Sequence, residues 1–175
     1  MPRAPRSAIA WASGVSEPVQ QVLRNTLRSA CEVIGADAGF TLQTRANGIL
    51  EVACAHRLGQ TPLLDAVFGR AASALRRALV TGELGLANTD GQPLTRVGPG
   101  DTTPAVIALP LELGPSDRGV LCLMRTGGPR ELSALDLEIL GALADQTALA
   151  LRAANQECAL SKLAASLRAL GPRPA

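Results

Sequence analysis

The chain has 175 residues, 47% hydrophobic and 18% charged, which is enough for one domain that buries its own core. No apolar run approaches the ~18 residues of a membrane span, and a net charge of +2 with scattered basic residues is no nucleic-acid signature, so neither partner is expected. Cys31, Cys54, Cys122 and Cys158 stand singly, without a Cys-x-x-Cys pair, which indicates neither a zinc site nor a disulfide framework and fits free thiols in a reducing cytoplasm.

Residues 1–15 read as a flexible amino-terminal arm, too weakly apolar for a signal peptide. Ser16 and Pro18 then open a helix, with Val19, Leu23, Leu27, Ala30 and Ile34 at helical spacing and Gly35 as its stop. From Ala38 to Arg57 the period becomes two, broken by Asn47-Gly48, which predicts a β-hairpin. Thr61 and Pro62 open a second helix that Gly82 closes. A short strand near 85–88 leads into a long loop, 89–104, rich in Gly, Pro, Thr and Asp. Two strands follow, "AVIALPLEL" and "RGVLCLM"; the second is apolar on both faces and so is expected at the centre of the sheet.

The last helix opens at Ser133 and Asp136 in a capping-box arrangement. Its first part, 133–154, is nearly all Ala and Leu, with Asp136, Glu138, Asp145 and Arg152 as its ionisable residues. One side must be buried in the domain. Beyond 155, Leu160, Leu163, Leu167 and Leu170 continue at spacings of three and four, past the expected end of the core. With Val19 and Leu23 of the first helix, they are the candidates for a self-association seam. The alternative is a helix that folds back on its own domain or frays. Short hairpin connections make the fold α+β, a central antiparallel sheet with the terminal helices packed together on one face.

In order and spacing, "ACEVIGADAGFTL", "LVTGELGLANTDG", "AVIALPLELGPSDRGVLCL" and "ELSALDLEILGALADQTALALRAA" resemble the GAF domains of bacterial signalling proteins, which are related to PAS domains. The resemblance covers about residues 17–155, and the domain is expected to span 16–155 with 156–175 as a helical extension and tail. It implies a sensory module that dimerises through its terminal helices, with a pocket between the other sheet face and the segment from the middle helix through the long loop. Carried over, Phe40, Cys54, His56, Phe68, Leu86, Asp90 and Cys122 are the pocket candidates. The family's cyclic-nucleotide signature is missing, since the one lysine is Lys162. Trp11, Phe40 and Phe68 are too few aromatics to crowd a tetrapyrrole.

His56, the single histidine, could ligate haem or donate to a pocket ligand, but a lone histidine is more often a satisfied structural residue. Cys54 and Cys122 could face each other on neighbouring strands, although a strand cysteine is more often a small core residue. A thiol enzyme of the free methionine sulfoxide reductase type is disfavoured, because residues 55–121 contain no cysteine. Asp90 and Asp101 have no paired histidine or metal-ligand cluster, and Asp90 is expected to stabilise a turn. The sequence therefore implies no catalytic residue and no metal, haem or tetrapyrrole, and leaves any cofactor open. The reading is a non-catalytic GAF module, homodimeric, with a possible small-molecule ligand and a separate effector protein in trans. Its rival is a GAF domain that binds no ligand and works as a scaffold.

Overall fold

The computed structural model describes residues 10–12, 15–44, 48–58, 62–95, 104–115, 117–125 and 132–169. The elements run β1 (Ala10–Trp11), α1 (Glu17–Ile34), β2 (Ala38–Thr44), β3 (Leu50–His56), α2 (Pro62–Thr81), β4 (Gly85–Ala87), β5 (Val106–Glu112), β6 (Arg118–Met124) and α3 (Ala134–Ala169). The six strands form one sheet in the order β1-β3-β2-β6-β5-β4. Every pairing is antiparallel except β1 with β3. β6 is central, as its two apolar faces predict.

Local chemistry explains the boundaries. Gly35 adopts the left-handed region (φ 64°), and Ala36 N–H donates to Cys31 O at 2.7 Å, closing α1 with a wrapped C-terminus. Ser16 is extended at the start of α1 but makes no side-chain cap bond, so Pro18 carries that end. At the start of α3 the reciprocal box forms: Asp136 N–H donates to Ser133 Oγ (3.0 Å), and Asp136 Oδ2 accepts from Ser133 N–H (2.9 Å). Asn47, Thr61 and Leu170, which entered the reading of the turn, the second helix and the seam, lie outside the described residues.

Two apolar layers flank the sheet. On one side α1 and α3 pack together over Ile107, Leu109, Leu111, Leu121 and Leu123. On the other, α2 covers Phe40, Leu42, Val52, Val106, Val120 and Cys122 through Ala71, Ala74, Leu75 and Ala78. Alternate residues of β5 and β6 go to opposite layers, as the strand period of two requires.

Three expectations are corrected. The arm at 1–15 contributes β1, a two-residue strand parallel to β3, with Ala12 N–H donating to Val52 O at 2.9 Å. Leu23 belongs to no seam: it is 1% exposed inside the chain's own α1–α3 layer, because the face of α1 that carries it also carries Leu27, Ala30 and Ile34. Val19 packs partly buried on the same layer. Cys54 and Cys122 do not face each other, because β2 separates β3 from β6 and the two side chains sit in opposite layers.

Candidate functional site

The pocket candidates divide between the two layers. Phe40, Phe68 and Cys122 come together beneath α2, with the Phe40 and Phe68 rings edge to face at 5.0 Å between centroids. Phe40 and Cys122 are fully buried. Residues 96–103 of the long loop, which the resemblance assigns to the pocket, lie outside the described residues.

Cys54, His56 and Leu86 are not part of that face. Val52 pairs with Leu42 and Cys54 with Thr41, so Ala53 is an extra residue, a bulge that reverses the alternation of β3. Val52 stays under α2 while Ala53 and Cys54 turn to the terminal helices. His56 follows them and lines two clefts against α1. One, of about 300 Å³, is shared with Cys31, Asp37 and Arg57. The other, of about 240 Å³, is shared with Arg24 and Arg28. Leu86 faces the terminal helices because β4 places its two small residues, Gly85 and Ala87, towards α2.

Asp90 is exposed on a turn, and its side chain does not hold that turn together. Asn88 does: its Oδ1 accepts from Asp90 N–H (3.0 Å) and Gln92 N–H (2.8 Å). Position 88 could have been read from sequence as an Asx turn ahead of Gly91 (φ 79°).

The thiols carry no sign of activation. Burial pushes Cys31 up to about 11, raises Cys54 against the lowering effect of Arg24, and raises the fully buried Cys122 further. All three are therefore protonated near neutral pH. Native protein at pH 7.5 is expected to label with iodoacetamide slowly at these three positions and quickly once denatured. Fast native labelling of Cys54 or Cys122 would reverse the assignment. A linked expectation concerns alkaline stability. An unfolded chain releases the Cys31 proton near 9.0, whereas the folded chain holds it to about 11. The stabilisation is complete below pH 9 and falls as pH rises towards 11, which denaturation at pH 8, 9.5 and 11 would measure in wild type and Cys31→Ala.

Among the described residues, no group of three or more His, Cys, Asp and Glu is placed to hold a metal, and no helix is long and apolar enough to cross a membrane. On the outer side of α3, Leu160, Leu163 and Leu167 are exposed by 57 to 67%, and the last buried residue of the helix is Ala154.

Comparison with known proteins adds the family. A family model described as a GAF domain matches residues 16–152. No curated protein matches the sequence. Among solved structures, the GAF-B domain of DevS from Mycobacterium smegmatis is similar at 24% identity and a TM-score of 0.56, covering 81% of this chain and 98% of that one. GAF3 of Slr1393 from Synechocystis sp. PCC6803, in its photoproduct state, is similar at 16% identity and 0.54, covering 81% and 98%. A GAF domain/HD domain protein from Geobacter sulfurreducens is similar at 18% and 0.51, covering 82% and 97%. These likenesses share the α+β fold, an antiparallel sheet between a layer of terminal helices and a middle helix. With the family model matching well over half of its length, the chain belongs to the GAF domain family.

Proposed function

We propose that this chain is a non-catalytic sensory or signalling module of the cytoplasm that forms a homodimer through its terminal helices and acts on a separate effector protein in trans. The observation that carries this reading is the GAF match over residues 16–152. The exposed leucines beyond Ala154 support the dimer, since an apolar stripe that covers nothing in its own domain is the usual mark of a partner surface. In a sensor of this build, a small molecule would bind beneath α2, against Phe40 and Phe68, and bias the layer of terminal helices through the sheet.

A second reading, a GAF domain that binds no ligand and serves as a scaffold, is favoured by one feature. Much of the sheet face under α2 is already filled, with Phe40, Val120 and Cys122 at 0% exposure and three alanines of α2 packed against that face. The thiol-enzyme reading has the raised thiols and the separation of Cys54 from Cys122 against it.

Native mass spectrometry of protein purified from its own host decides between the first two. A reproducible extra mass that is lost on denaturation is expected for a sensor and would size its ligand. Bare subunits, unshifted by host metabolites, would leave the scaffold.

A further inference from the structure

One face of α1 and the end of β3 enclose a cleft whose walls are rich in donors. Gln21, Arg24, Asn25 and Arg28 stand at steps of three and four residues on the exposed side of α1. With Ala55 and His56 of β3 they line about 240 Å³. His56, the chain's single histidine, reaches this side only because the extra residue at Ala53 reverses the alternation of the strand. In a regular strand it would share the layer of Val52 beneath α2.

No carboxylate lines this cleft. Its two guanidiniums supply N–H groups and no acceptor, so they cannot satisfy each other. Gln21 Nε2 donates to Asn25 Oδ1 at 3.0 Å, which leaves the Asn25 NH2 as a further donor. Arg28 Nε stands 4.0 Å from Glu32 Oε1, beyond hydrogen-bond length, so its fork has no hydrogen bond among the described residues. The His56 side chain has none there either. Arg24 pairs with Glu17 and touches Gln20 and Gln21. That ion pair is exposed on both sides, and a pair in water is weak enough for a doubly charged anion to replace it.

The adjoining cleft of about 300 Å³ shares Arg28 and His56, and its acids are Glu32 and Asp37. It adds Arg57, the one non-glycine residue with positive φ (55°) among those described. An L residue holds that conformation only where its surroundings fix it. A third guanidinium is thereby kept beside His56.

We propose that the cleft between α1 and β3 binds a phosphate group, free or on a small ester, on the side of the sheet opposite the layer beneath α2. Its volume lies below the ~300–1,000 Å³ of cavities that bury drug-sized molecules, so few atoms fit. Arg24 and Arg28 are about 6 Å apart along α1 at 1.5 Å per residue, with His56 across from them on another element. A carboxylate has two oxygens and is satisfied by one guanidinium fork. A phosphate dianion presents three acceptor oxygens in a tetrahedron, and accepts from both forks and the imidazole N–H together.

Because His56 is the only histidine, its ring protons report on this cleft directly. Sodium phosphate added at fixed pH and ionic strength is expected to move the His56 Hε1 resonance saturably, with a midpoint in roughly the millimolar range or below. Glycerol 3-phosphate titrated in parallel separates the sources, the tighter binder showing whether the free anion or an ester is the ligand. Arg28→Gln is expected to weaken binding roughly 10-fold or more. Arg76→Gln, an equal loss of charge at an exposed position on α2, is expected to leave it unchanged. Both side chains are exposed, so both variants are expected to keep the wild-type circular dichroism spectrum. A shift that sodium chloride reproduces, or one that Arg76→Gln weakens as much as Arg28→Gln, would overturn the site. Tighter binding of succinate than of phosphate would overturn the choice of anion.

Discussion

Gly85→Ala is expected to lower the melting temperature by roughly 6–12 °C, about 3 kcal/mol for a chain of this size. A Cβ at Gly85 would stand 2.0 Å from the Ala74 carbonyl oxygen and 2.7 Å from its carbon. These are backbone atoms of a helix, so the contact cannot be relieved by turning a side chain. α2 would have to lift from β4, loosening Ala71, Ala74 and Ala78 from the sheet. Gly141→Ala is the matched control, since a Cβ there meets nothing within 4 Å. It sits inside α3 and should stabilise by up to about 1 kcal/mol through helix propensity. If both variants melt like wild type, α2 is not pressed against β4 as described.

The second large effect is expected at Phe40→Ala, a loss of about 3–5 kcal/mol. Among the described residues Phe40 is the largest fully buried side chain, packed under α2 with Phe68 edge to face against it. Truncation removes the apolar transfer energy and leaves a cavity that alanines on α2 are too short to fill. Against a typical total of about 5–15 kcal/mol, that is a large share of the stability. Urea unfolding should show the midpoint falling with an unchanged slope. A loss under about 1 kcal/mol would mean the layer beneath α2 collapses freely, and would argue for a malleable site there.

Much of this architecture was legible because its signals are local. The period of three to four up to Gly35 defined α1, the switch to two defined β2 and β3, and Ser133 with Asp136 marked the start of α3. The family resemblance followed from the order of such pieces. What escaped depended on contacts far apart in sequence. The bulge at Ala53 has no residue-type marker, since alanine fits a regular strand equally well, yet it moves Cys54 and His56 to the other layer. β1 is two residues long and has no periodicity to read. α3 is so uniformly Ala and Leu that its sequence offers several stripes at once, and only the packed fold shows which one the domain covers. Leu23 is hard to place from sequence for a related reason: Val22 and Leu23 are adjacent on α1, and it is Val22, at 39% exposure, that faces outward.

β4 has a further effect on how the molecule behaves at high concentration. A sheet ends in unpaired amides and carbonyls, and a long flat edge recruits strands from other molecules. Here the β4 end is three residues long, and beyond it Ala87 bridges to Pro93, which has no N–H to offer. Leu94 N–H is already given to Leu86 O, and Asn88 N–H to Gln92 O. The segment that follows β4 thus folds back along this margin of the sheet and leaves it few free groups for a strand of another molecule.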